Sequence, residues 1–134
     1  MPKIGVFAAI KDKNERILLT KIKYGSGNWT LPGGHLESNE SPIEGVKREV
    51  LEETGYIVEV SNLISVYSAP SKDDIVLLFR AKIIDRILWE SNDEIEQVNF
   101  FERNSLPSAI HPWNVKRIND AFNNKKSNLH IFSK

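Results

Sequence analysis

Three glutamates, Glu49, Glu52 and Glu53, fall within a five-residue stretch, a spacing that gathers them on one side of a helix. Clustered carboxylates repel, and a chain gains nothing by crowding them unless positive charge sits among them. Arg48 flanks the group and can orient one glutamate, but one guanidinium cannot neutralise three carboxylates. A hard divalent cation can. Oxygen-only donors with no Cys or His beside them favour Mg²⁺ or Mn²⁺ over zinc. The plain alternative is a solvated acidic face. Against it stands the company the acids keep, because a glycine turn, Gly33-Gly34, lies just upstream and the helix between is punctuated at both ends.

Ser41-Pro42, with Glu44 three residues past the serine, reads as a capping box with proline in the first helical position. Gly55 follows as a left-handed cap would. These signals predict a helix from Pro42 to Thr54. On it Ile43, Val46, Val50 and Thr54 form one stripe, assigned to the core, and the three glutamates form another arc with Gly45 between Glu49 and Glu52. That glycine costs roughly 1 kcal/mol relative to alanine. Either open space beside the acids or a tight helix contact explains it.

The set Gly34, Glu40, Arg48-Glu49-Val50, Glu52-Glu53 and Gly55-Tyr56, spaced over residues 34–56, resembles the Nudix box of Nudix (MutT-like) hydrolases. Every fixed position is filled; Tyr56 stands where a smaller aliphatic residue is commoner. The upstream Trp29-x-Leu31-Pro32-Gly33 is similar to the family's approach to its box. The resemblance covers the box closely and the rest of the chain by general pattern.

The resemblance implies an α+β fold, an α/β/α sandwich with a mixed sheet between helices, and hydrolysis of a pyrophosphate bond in a nucleoside diphosphate derivative. It also implies that Glu49, Glu52 and Glu53 hold one or more Mg²⁺ ions (Mn²⁺ as a substitute), with the Gly33 carbonyl and Glu40 as further ligands. Glu49 is then one expected general base and Glu94, from a later loop, the other, with Glu96 in reserve; the alternative for Glu94 is an ordinary surface carboxylate. Arg48 is expected to orient the glutamates. Tyr24, Trp29, His35 and Phe100 are the expected substrate contacts, with Trp113 a further stacking candidate. A core anchor is the competing role for Trp29, a solvent-facing loop position for His35, and capping or packing for His111.

At 134 residues the chain fits one domain, residues 1–134, with a sizeable core. Lys plus Arg equals Asp plus Glu at 18 each, so no global field favours duplex nucleic acid. A small nucleotide arriving with its own cation needs no such field. With no cysteine, disulfides, thiolate metal sites and cysteine nucleophiles are excluded, which is compatible with a reducing cytoplasm. No stretch approaches the ~20 apolar residues that span a bilayer, and the short apolar run near the N-terminus reads as a strand rather than a signal segment. Relatives are often homodimers, although no stretch here carries an interface signature.

Strands are expected at 4–10, 17–22, 57–60, 63–69, 75–84 and 94–101, a turn at 70–74, and a second helix at 110–123 with Val115, Ile118 and Phe122 at helical spacing. Residues 86–93 carry no clear period. The tail, 124–134, is expected to be partly loose, with Leu129, Ile131 and Phe132 able to dock. Three functions fit: hydrolysis of a nucleoside triphosphate or related derivative; cleavage of ADP-ribose or a nucleotide sugar, to which Pro70, 14 residues beyond Tyr56, lends slight support; and a nucleotide-binding module without turnover, which loss of the acidic residues would favour and none is lost.

Overall fold

The computed structural model describes residues 2–126 and 128–132. In chain order the elements are β1 (Lys3–Ile10), β2 (Ile17–Ile22), β3 (Trp29–Thr30), β4 (Gly33–His35), α1 (Pro42–Thr54), β5 (Tyr56–Ala69), β6 (Asp74–Arg86), β7 (Ile95–Phe101), α2 (Pro112–Phe122) and β8 (Asn128–Ile131). A five-stranded sheet runs β4-β1-β6-β5-β8 and a three-stranded one runs β3-β2-β7. In the larger sheet β1 pairs with β6 and β5 with β8 in parallel, while β1–β4 and β5–β6 are antiparallel. It is therefore the expected mixed sheet, and a helix packs on each of its faces.

Period-two alternation places those faces. Val6, Ala8 and Ile10 of β1 join Val46 and Val50 of α1 in one core cluster, whereas Ala9 joins Ile118 and Ala121 of α2 in the other. The two valines of α1 are fully buried, worth about 1.5–3 kcal/mol each. The second sheet extends the strand expectations: β7 pairs along the whole of β2, from Ile17 with Phe101 to Ile22 with Ile95.

The segments read as two strands, 57–60 and 63–69, are one strand. The polar Ser61-Asn62 that suggested a break lies where the register with β6 shifts, between Val60 and Asn62, and the Ser61 hydroxyl donates to the Arg80 carbonyl. The aperiodic residues after β6 are fixed against the end of α1 by Trp89 and Asn92, whose side chains donate to the Glu52 carbonyl at 3.0 and 3.3 Å. The second helix starts at Pro112, with His111 as its cap: His111 Nδ1 accepts from the Trp113 amide at 3.0 Å. Its buried face is Asn114, Arg117, Ile118, Asp120 and Ala121; of the other expected residues Phe122 packs half-buried against the core and Val115 is half-buried.

The part of the tail within the described residues is ordered. β8 lies beside β5, and Phe132 is buried, stacking on Trp113 at 4.4 Å and Tyr67 at 5.5 Å. Ile131, the other docking candidate, is exposed. Ser127, Ser133, Lys134 and the side chain of Leu129 lie outside the described residues.

Candidate active site

The acids are delivered by α1, whose punctuation is the expected one. Ser41 Oγ accepts from the Glu44 amide, the Glu44 carboxylate accepts from the Ser41 amide, and Gly55 closes the helix at φ 77°. Of the expected stripe Val46, Val50 and Thr54 are buried and Ile43 is not. Ile43 is 47% exposed, while Gly45 and Glu53 are buried with Val46 and Val50. The cause is the loop before the helix, which folds back so that Leu36 and Glu40 pack on Gly45. The tight contact, not an open space, accounts for that glycine.

The two glycines of β4 let the carboxylates close in. A Cβ on Gly34 would lie 2.8 Å from the Glu49 carboxylate, and one on Gly33 would collide with Val6 and Phe7 of the neighbouring strand. The Gly33 amide donates to Glu53 Oε1 at 3.2 Å. Burial pushes the Glu53 carboxyl well above the carboxylate range. Its contact with Glu49 and the charge of Glu94 push it the same way, and the Gly33 amide opposes them weakly.

Arg48 is the hub of the acidic arc. Its Nε donates to Glu40 Oε2 at 2.6 Å, Nη2 to Glu40 Oε1 at 3.0 Å, and Nη1 to Glu49 at 2.9 Å and Glu52 at 3.2 Å; Glu37 lies 3.3 Å from Nε. Hydrogen bonds from Arg48, reinforced by the Glu37 amide, hold the Glu40 carboxyl down at about 2. The same bond to Glu40 raises the Arg48 guanidinium above its ordinary value. With both oxygens engaged, Glu40, expected as a distal metal ligand, is the anchor of Arg48. Of the three helix glutamates Glu52 is the outermost, its side chain 56% exposed.

Among the described residues no three carboxylates or imidazoles converge as a ready-made ion cage. A hard divalent cation nonetheless fits the residues present. The donor set is oxygen only, and Glu49 and Glu53 are two like groups in contact at a place where a proton or a cation relieves the repulsion.

A cleft of about 350 Å³ opens in front of β4, and Tyr24, Gly33, Gly34, His35, Glu53 and Glu94 line it. A smaller groove of about 220 Å³ continues past Glu52, Asn92 and Asp93, with Glu53 and Glu94 lining both spaces. The later-loop carboxylate is therefore brought to the acids of α1, and the Glu94 carbonyl accepts from the Lys23 backbone amide at 2.8 Å, just beyond the Ile22–Ile95 pairing of β2 with β7. Glu96 is directed elsewhere and pairs with Lys21 at 3.4 Å. Tyr24 lines the cleft though it is largely exposed, and partial burial together with the charges of Glu53, Glu94 and Glu49 raises its phenol. His35 sits at the rim, 3.9 Å from Asp74.

Two expected substrate contacts are core residues. Trp29 is 8% exposed and packs edge-on against Phe101 at 4.9 Å; Phe100 packs with Tyr56 in the cluster beneath α1. Neither lines the cleft. Trp113, the further stacking candidate, is spent on Phe132. Conversely, Asp74, Asn114 and Arg117 line the cleft without having been singled out in the sequence. The available signal was two polar residues three apart, Asn114 and Arg117, on the same face of α2 as Ile118 and Ala121.

The chain is 38% identical over 112 residues to an ADP-ribose pyrophosphatase of Methanocaldococcus jannaschii, a match covering 79% of this chain and 65% of that protein. It thus spans just under two thirds of that relative's length. It is 32% identical over 127 residues to a Bacillus subtilis protein named as a candidate 8-oxo-dGTP diphosphatase, covering 95% of this chain and 84% of the relative. The crystal structure of a NUDIX hydrolase from Nitrosomonas europaea superposes with a TM-score of 0.83 at 30% identity, covering 99% of this chain and 80% of that one. The sequence pattern of the NUDIX domain matches residues 1–121, from β1 to the end of α2. Carrying that pattern over nearly its whole length, the chain belongs to the Nudix, or MutT-like, hydrolase family.

Proposed function

We propose that this chain hydrolyses a pyrophosphate bond in a nucleoside triphosphate or a related nucleoside diphosphate derivative. Water supplies the oxygen that bonds to phosphorus, the bridging P–O bond breaks, and the departing phosphate keeps the bond's electron pair. The observation that carries this reading is the meeting of Glu53 and Glu94 in a cleft of about 350 Å³, with Glu49 against Glu53 and against a strand stripped of side chains at Gly33 and Gly34.

Mg²⁺ or Mn²⁺ held by Glu49, Glu52 and Glu53 with the Gly33 carbonyl would supply charge neutralisation on the phosphates and a more acidic water. The chain's own residues do the rest. Arg48 fixes Glu49 and Glu52 from behind, and this positioning sets the reacting groups before substrate arrives. Glu94 or Glu49 takes the proton of the attacking water, Glu94 being the better placed because it faces the cleft and is free of Arg48. The absence of cysteine suits work in the reducing cytoplasm.

Phosphate-release assays with Mg²⁺ over nucleoside triphosphates, ADP-ribose, dinucleoside polyphosphates and nucleotide sugars test the proposal. Glu52→Gln and Glu53→Gln are expected to abolish turnover and leave the circular dichroism spectrum intact. Full activity in either variant overturns the assignment. Cleavage of ADP-ribose is the second reading, favoured by the name of the archaeal relative, and preference for that substrate in the screen would establish it.

A further inference from the structure

The cleft has a second polar end that the chemistry above leaves unused. Arg117 is only 8% exposed, and its guanidinium lies over the rings of Phe7, Tyr67 and Phe132 at 5.6, 5.3 and 5.8 Å. Its Nη1 donates to Asn114 Oδ1 at 3.3 Å, and that oxygen also accepts from Thr30 at 3.4 Å. So one arm of the guanidinium is tied back. Arg117 Nε, by contrast, is buried and meets no acceptor among the described residues, and Asp74 Oδ1 is buried and meets no hydrogen-bond donor. His35 Nε2, at 3.9 Å, is too far from Asp74 to serve. One cleft thus holds a buried unspent donor and a buried unspent acceptor, each a cost to the fold unless a ligand completes it.

We propose that Arg117 Nε and Asp74 Oδ1 are the specificity pair of this site and read the donor–acceptor edge of a nucleobase. The inference rests on the nucleotide-hydrolase reading. A second phosphate suits this end poorly, because Asp74 stands beside Arg117 and the carboxylates of Glu53 and Glu94 line the same space. A heterocycle suits it well. Its edge carries an N–H next to a carbonyl or ring nitrogen, one partner for each orphaned atom, and Phe7, Ile22, Val76 and Ile95 offer its faces an apolar wall. Such a pair also rejects ligands that cannot complete it, since both buried groups would remain unsatisfied.

Calorimetric binding of nucleoside 5′-monophosphates and of ribose 5-phosphate, both in EDTA, tests the pair. Wild-type protein is expected to bind at least one nucleoside monophosphate about tenfold or more tighter than ribose 5-phosphate. Arg117→Lys, which keeps a cation under the rings and loses Nε, and Asp74→Ala are each expected to shrink that difference to under about threefold. If the wild type shows no such preference, or the variants preserve it, or they weaken both ligands by the same factor, the pair does not read the base. Binding in EDTA needs no turnover. Base-dependent binding in a chain that cleaves no pyrophosphate overturns the hydrolase reading alone, and hydrolysis without base-dependent binding overturns the pair alone.

Discussion

Gly34→Ala is the smallest change that should disable the site without disturbing the fold. Gly34 has no left-handed backbone to lose, unlike Gly25, Gly27 and Gly55. The added methyl, however, would lie 2.8 Å from the Glu49 carboxylate, where ordinary contact begins at 3.4 Å. The carboxylate must therefore retreat by about 0.6–1.2 Å, away from the position in which Arg48 holds it at 2.9 Å. A misplacement of about 1 Å at a reacting group costs about 10²-fold in rate. We expect kcat in a phosphate-release assay to fall by about that factor, while the thermal melt moves little. In a Glu49→Asp background, where the carboxylate stands one methylene farther from the strand, the same alanine should cost less than about threefold. Wild-type kcat in the single variant, or the full loss again in the shortened background, would refute the account of β4 given above.

Arg48→Gln should lower kcat at least tenfold with the fold retained, and by NMR Glu40 should titrate in the normal carboxylate range instead of at about 2. Because the folded value of Glu40 is depressed, its contribution to stability exists above about 4.5 and is lost as pH falls toward 2; melting curves of the variant should be flatter across that window. Glu53 has the opposite sign. Its raised folded value means that metal-free protein is favoured at low pH and loses stability as pH climbs past the unfolded value of 4.5. Glu53→Gln should remove that slope, and Mg²⁺ should raise the melting temperature more at higher pH, since binding expels the proton; identical slopes for both proteins speak against it. Phe132→Ala, which empties the slot between Tyr67 and Trp113, should destabilise by about 3 kcal/mol in urea titrations.

What could be read in the sequence was local. The capping box at Ser41 and Glu44, the cap at Gly55 and the acid spacing on α1 depend on neighbours within a few residues, so pattern alone located them. The direction of each acid did not follow. Which of Glu49, Glu52 and Glu53 is buried depends on how Leu36 and Glu40 fold back onto Gly45, a contact no helical wheel contains. Trp29 and Phe100 look alike as exposed aromatics or as core until the register of β2 with β7 is known, and that pairing joins residues some eighty positions apart. Arg117 and Asp74 were invisible for the same reason: one is on a helix, the other begins a strand, and only the folded cleft makes them neighbours.

The four-way embrace of Arg48 by Glu37, Glu40, Glu49 and Glu52 has a consequence for the life of the protein. In small domains that wrap around zinc, starvation for the ion means collapse. Here a covalently attached cation already sits among the acids, so loading is an exchange of counter-charges on a finished scaffold. On the proposal that Mg²⁺ binds these acids, the ion joins a scaffold whose carboxylates Arg48 already holds in place.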